Sequence, residues 1–259
     1  MNEMRREKNN EVQLFHKVLD TLFLSPQMSA KKGFKLYGHR AIEAILKEFK
    51  QLNEGAFPGK PVVKPFEYEG LTKDKLRSCM EAFSFIKEKR NGVMKGRTFA
   101  NGSQQKKYLK PGESIASPTA STEAILGTFM IDAYEGREVG IFDIPGTYLH
   151  ASLRHDGKRV IMVLQEKFAD FMCEVDAKYK KYVRIIHGKK VLYLKVLRAI
   201  YGCIELALLW YELFTDTLQK MGFTINPYDK CVANKQIEGH QCTIVWYVDD
   251  AKVSHKNLK

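Results

Sequence analysis

From Ala41 onward the apolar positions Ile42, Ile45, Leu46, Phe49 and Leu52 recur at helical spacing, which predicts an amphipathic helix. Ahead of it, residues 1–40 hold a short apolar stretch, Val18 to Leu24, and a basic run around Lys31, Lys32 and Lys35. That pattern predicts a tail or linker. From Asn53 to Pro65, Gly55, Pro58, Gly59, Pro61 and Pro65 stop a helix and predict a loop. A second amphipathic helix is expected next, with Leu76, Cys79, Met80, Phe83 and Ile86 on one face. Asn91 to Pro118 shows little apolar periodicity and is rich in Gly and Lys. Thr122 to Ala133 predicts a further helix, and Val139–Phe142, Val160–Leu164 and Val191–Leu194 predict strands. The strongest helix spans Leu206 to Met221, with Leu209, Trp210, Leu213, Phe214, Leu218 and Met221 on its apolar side. Thr243 to Ser254 predicts a hairpin whose turn carries Asp249 and Asp250. Helices and strands mix without a regular βαβ beat, so the expected class is α+β.

The composition narrows the picture without changing it. With 44% hydrophobic residues, 12 Tyr and 15 Phe, the 259-residue chain can bury a full core. A formal net charge of +12 points to a polyanionic partner, nucleic acid or an anionic membrane. No segment approaches the roughly 20 apolar residues that cross a bilayer, and Met1 to Asn10 does not open a signal peptide. The five cysteines are scattered, outside any CxxC or zinc-type spacing, and the seven His form no HExxH pattern. Free thiols in a reducing, cytoplasmic compartment are expected. No hydrolase nucleophile setting is visible.

Candidate chemistry lies in the carboxylates. Aspartates in turns are usually ordinary turn residues. Here the apolar strand Val245-Trp246-Tyr247-Val248 runs directly into Asp249-Asp250, and Val139–Phe142 runs directly into Asp143. Strands hold carboxylates rigidly at a sheet end, where like charges repel unless a cation neutralises them. If the two strands are neighbours, Asp143 and Asp249 converge, and two Asp plus waters and substrate phosphates suit Mg²⁺. Two such ions would serve in-line displacement at phosphorus.

These residues carry a resemblance. Tyr247-Val248-Asp249-Asp250 resembles the YxDD signature of reverse transcriptases, and Asp143-Ile-Pro-Gly-Thr-Tyr148 an earlier block of Ty1/copia-type retrotransposon polymerases. Leu197-Arg-Ala-Ile-Tyr-Gly202 with Trp210-Tyr211, the basic block from Lys95 through Arg97 to Gly102, and Ser117-Pro-Thr119 follow the family's order. The resemblance covers about residues 41–255.

It implies a right-hand polymerase palm, an antiparallel sheet with packed helices, plus fingers, with the family's thumb and RNase H missing from this sequence. Residues 41–259 would be fingers (mainly 56–136 and 156–195) and partial palm (mainly 137–155 and 196–259), with an exposed edge after Asp250. It further implies RNA-directed DNA polymerase activity with two Mg²⁺, Mn²⁺ being the substitute, acting on dNTPs and an RNA or DNA template-primer. Asp143 and Asp249 would be the main metal ligands, Asp250 a supporting carboxylate, and Ile144 a carbonyl donor. Lys95, Arg97, Tyr148 and Glu205 would contact the incoming nucleotide, Tyr148 by excluding a 2′-hydroxyl. Glu205 departs from the family, which has Gln there; an acceptor-only carboxylate repels phosphate. Trp210 is expected in the core. The family adds a virus-like particle or the nucleus as locations. Two alternatives stand beside the enzyme: an inactive remnant that binds nucleic acid through Lys95 and Arg97, and a module that associates with full-length polymerase or capsid protein.

Overall fold

The structure, a computed structural model, describes residues 27–56, 59–89, 91–103, 105, 115–144, 146–153 and 160–257. The apolar stretch Val18 to Leu24 and Pro145 lie outside the described residues. Two sheets carry the fold, and the class is mixed α+β. The first has seven strands: β1 (Met28–Ser29), β2 (Val63–Pro65), β3 (Met80–Glu88), β4 (Met94–Ala100), β6 (Ile161–Gln165), β7 (Arg184–Ile186) and β8 (Lys189–Val196). Its central order is β1-β3-β6-β8-β2, with β4 paired to β3 and β7 to β8. The second has five strands in the order β5-β12-β11-β10-β9 and is antiparallel throughout. Its strands are β5 (Glu138–Asp143), β9 (Thr224–Ile225), β10 (Val232–Ile237), β11 (His240–Tyr247) and β12 (Asp250–His255).

The helices are α1 (Ala30–Tyr37), α2 (His39–Glu54), α3 (Lys73–Ser78), α4 (Thr122–Glu135), α5 (Thr147–His150), α6 (Lys167–Val175) and α7 (Leu206–Lys220). Ile45, Phe49 and Leu52 of α2 are buried against the first sheet with Met80, Met162 and Leu192. Trp246 and Val245 of β11 centre a second core with Leu218 and Phe214 of α7 and Ile125 of α4. Because neighbouring strand residues face opposite ways, α7 and α4 cover opposite faces of this sheet. Trp246 packs edge-on to Phe214 of α7, centroids 5.1 Å apart. Lys252, next to Trp246's partner Ala251, reaches instead to Asp132 of α4. Arg137 joins that buried group, 3.8 Å from Asp132 and 3.0 Å from the Thr243 hydroxyl.

Several expectations need correction. Residues 28–40 are not a tail: β1 pairs with β3, and Ala30 and Gly33 are buried. The helix expected through Ile86 ends at Ser78, and Met80–Glu88 is a strand. Its apolar residues fall on both faces, with Ser84 and Ile86 inward and Phe83 and Phe85 outward, and this mimics a helical stripe. The Gly- and Lys-rich stretch after Asn91 supplies β4, whose inward side chains, Gly96, Thr98 and Ala100, are small. Ala124 and Ile125 of α4 pack against the core of the second sheet. Met221 is 56% exposed, beyond the end of α7. β12 lies between β5 and β11, so it is no edge; β5 and β9 are. All five cysteines are free; Cys203, Cys231 and Cys242 are buried, and Cys79 and Cys173 half-buried. Among the described residues no helix is long and apolar enough to cross a membrane.

Candidate active site

The register of the second sheet brings the carboxylates together. β5 and β12 pair antiparallel with Asp143 opposite Asp250. β11 and β12 close on the pair Tyr247–Asp250, leaving Val248 and Asp249 as a two-residue turn. The Ile144 N–H donates to the Asp249 carbonyl at 3.3 Å, so the segment after Asp143 lies directly beside the turn. Asp143 and Asp249 line one cleft of about 280 Å³ between the two sheets, together with Lys95, Arg97, Glu48, Tyr148 and Tyr201.

The other wall comes from β4. Its alternation sends Lys95 and Arg97 outward and Gly96 and Thr98 inward. Gly96 lies against α2 so closely that a Cβ there would come within 2.6 Å of the Ala44 carbonyl. Below it, the Glu48 carboxylate accepts from the Thr98 N–H at 3.0 Å. Burial holds the Glu48 carboxyl above its ordinary range, with the Thr98 N–H, Arg97 and Lys95 pulling the other way. Burial lowers Lys95, and the adjacent Arg97 and Lys89 add to this. The Arg97 guanidinium lies over the Tyr201 ring, 4.8 Å from its centroid. Tyr201 in turn packs edge-on against Tyr148 at 5.4 Å. Burial raises both phenols, and the Asp249 charge adds to the rise at each, so both are neutral donors near pH 7.

The turn itself is strained. Val248 has φ of 60°, a left-handed conformation that a β-branched residue resists; such strain costs on the order of 1–3 kcal/mol. Trp210 of α7 donates its indole N–H to the Val248 carbonyl at 2.8 Å. On the other side of the site the Thr147 hydroxyl donates to the Ile144 carbonyl.

Thus Asp143, Ile144, Asp249, Lys95, Arg97 and Tyr148 meet around one cleft. Asp250 and Tyr247 instead line a shallow apolar recess with Phe129 and Ile141. Glu205 is not among the residues lining the cleft; it stands at the N-terminal cap of α7, its carbonyl accepting from the Leu209 N–H at 2.9 Å. Sequence reasoning missed Glu48, Gln51 and Tyr201, which line the cleft. Tyr201 stood inside the recognised block, so its aromatic ring was an available signal; Glu48 and Gln51 look like ordinary solvent-facing helix residues.

It also missed the outer face of the β3–β4 hairpin. Phe83 pairs with Phe99, Phe85 with Arg97 and Lys87 with Lys95, all on the face turned from the core. A second cleft, again about 280 Å³, adjoins the first through Lys95 and Arg97 and adds Phe85, Lys87 and Lys89. Among the described residues no group of three or more His, Cys, Asp or Glu converges as a metal cage. Compared with known proteins, the chain matches no family model, and no curated protein matches it.

Proposed function

We propose that this chain is the fingers and partial palm of a copia-type RNA-directed DNA polymerase, which joins deoxynucleotides to a primer 3′-hydroxyl under template direction. The observation that carries the reading is the convergence of Asp143 and Asp249 with Arg97 and Lys95 on one cleft between the sheets. An antiparallel five-stranded sheet with packed helices is compatible with a palm.

The donor set fits magnesium. Asp143, Asp249 and the Ile144 carbonyl are hard oxygen donors, too few for a closed cage and open to water and phosphate oxygens. The Ile144 carbonyl keeps a second lone pair beside the one that accepts from Thr147. Bound there, Mg²⁺ would supply Lewis-acid stabilisation of the attacking and departing oxygens. The chain's own residues do the rest. Arg97, steadied on the Tyr201 ring, presents a planar fork suited to two phosphate oxygens. Lys95 adds a point charge at the junction of the two clefts. Tyr148 offers a neutral aromatic face under the sugar, held by Tyr201. Its bulk would exclude a 2′-hydroxyl.

Primer extension tests this directly, using an RNA template, Mg²⁺ and low salt. The wild-type chain is expected to extend, and Asp249→Asn to lose at least about a hundredfold, the size of one removed electrostatic stabiliser. A second reading, a nucleic-acid-binding remnant without catalysis, draws support from the cationic and aromatic outer face of the β3–β4 hairpin. Binding of template-primer without any extension would favour it.

A further inference from the structure

We infer that Trp210 is a positioning residue of this site: its indole N–H holds the Val248 carbonyl and thereby fixes the turn from which Asp249 enters the cleft. The kinetic consequence rests on the polymerase reading; the bond itself does not.

The turn needs a restraint. It has two residues, Val248 and Asp249, and the first is β-branched with φ of 60°. A valine left to itself would relax from that region and carry Asp249 with it. Main-chain pairing stops at Tyr247–Asp250, so the strands do not hold the turn's two carbonyls. Both are held from outside: the Asp249 carbonyl by the Ile144 N–H at 3.3 Å and the Val248 carbonyl by the Trp210 indole at 2.8 Å.

Trp210 is built for the task. It is 5% exposed, and an indole N–H only donates, so leaving it unmatched at this depth is costly. The ring cannot easily turn away. It stacks on Phe214 of the same helix at 5.3 Å and 20°, and it lies 6.3 Å from the His150 ring of α5. α5 follows closely on Asp143. One side chain therefore holds the turn that carries Asp249 and lies beside the helix that follows Asp143. A core tryptophan without this role would fill space and stop there.

Trp210→Phe keeps an aromatic ring against Phe214 and removes the N–H. In primer extension it is expected to lower kcat about tenfold, the scale of one hydrogen bond lost where it matters, with KM for the deoxynucleotide within about twofold. In a Val248→Gly background, where glycine takes positive φ without strain, the same substitution should cost less than about twofold. Equal losses in the two backgrounds, or a raised KM with kcat unchanged, would overturn the assignment.

Hydrogen exchange keeps the inference testable if the chain extends no primer. The protein has two tryptophans, and Trp210→Phe assigns the Trp210 indole signal in the NMR spectrum of the full chain. That N–H should exchange slowly in the wild type, and its loss should shift the amide signals of Val248 and Asp249. A Trp210 indole that exchanges like an exposed one sinks the inference, whatever becomes of the polymerase. A protected indole in a chain without activity sinks the polymerase reading and leaves the turn-holding role standing.

Discussion

Glu48 shows how one residue can matter to both stability and binding. Its carboxylate is half-buried, accepts from the Thr98 N–H and faces the cleft that Arg97 and Lys95 also line. Burial raises its folded-state pKa above the ordinary value. The folded chain therefore takes up this proton more readily than the unfolded one. Its contribution to stability is fully present below the ordinary carboxylate range and is lost as pH rises through the raised folded value. Glu48→Gln keeps an acceptor for Thr98 and removes the titration. At pH 7 the variant should melt higher than the wild type, and the gain should shrink as pH falls through the ordinary carboxylate range; calorimetry over a pH series checks it. At this scale Asp143, Asp249, Arg97 and Tyr148 were legible because each sits in a short stretch of distinctive chemistry. Glu48 was not, because an acidic residue on a helix's polar side has the same local signature whether it meets solvent or a cleft. Glu205 stands outside the lining of the cleft, at the start of α7, and its position in a motif said nothing about where that helix would begin.

At the scale of elements, the contact between β4 and the segment before α7 decides the cleft's shape. The Ala100 N–H donates to the Tyr201 carbonyl at 2.8 Å, and Gly202, with φ of 91°, passes directly over Ala100. A Cβ on Gly202 would stand 2.0 Å from the Ala100 carbonyl, and one on Gly102 would stand 2.0 Å from that of Gly202. Backbone cannot yield by that much without separating the two segments. Gly202→Ala should cost roughly 2–4 kcal/mol, from overpacking added to the positive φ. Denaturant unfolding of the full chain measures it, and a loss below about 0.5 kcal/mol would mean the segments are not so closely joined. The helices α2, α4 and α7 were legible because they are long enough for apolar residues to show a period or a dense run. β3 was misassigned because a strand with Ile86 on one face and Phe83 and Phe85 on the other has no clean alternation of polarity. β4 was hidden because its inward positions are Gly96, Thr98 and Ala100, small enough to let α2 and the Gly202 segment approach.

On the scale of the molecule, two sheets meet along a cleft to which the second brings Asp143 and Asp249 and the first brings Lys95 and Arg97. The basic surface continues past the cleft onto the outer hairpin face, where Phe83, Phe85 and Phe99 alternate with Lys87, Lys95 and Arg97. Aromatic rings set among cations give a face on which unpaired bases stack while phosphates are neutralised. Binding of a single-stranded oligonucleotide should weaken steeply with salt. Lys87→Glu with Lys89→Glu, both outside the carboxylate cleft, should weaken it about tenfold and flatten the salt dependence. Fluorescence anisotropy over a salt series reads both effects; unchanged affinity would remove this face from the interface. The net charge of +12 pointed to a polyanion, but it did not say where one would lie.

The sequence by itself determined the α+β class, the long helices, the β11–β12 hairpin and the carboxylates at strand ends, because each depends on residues within a few positions of one another. Only the tertiary structure decided that β5 lies beside β12, that β4 closes over α2, and that Glu48, Tyr201 and Trp210 reach the site. Those contacts join distant segments, and a strand's pattern of polarity records which face is buried but not which neighbour it pairs with. The strain at Val248 belongs to the same class. A valine carries no mark of positive φ, which is imposed by the closing pair Tyr247–Asp250 and held by a tryptophan from another element.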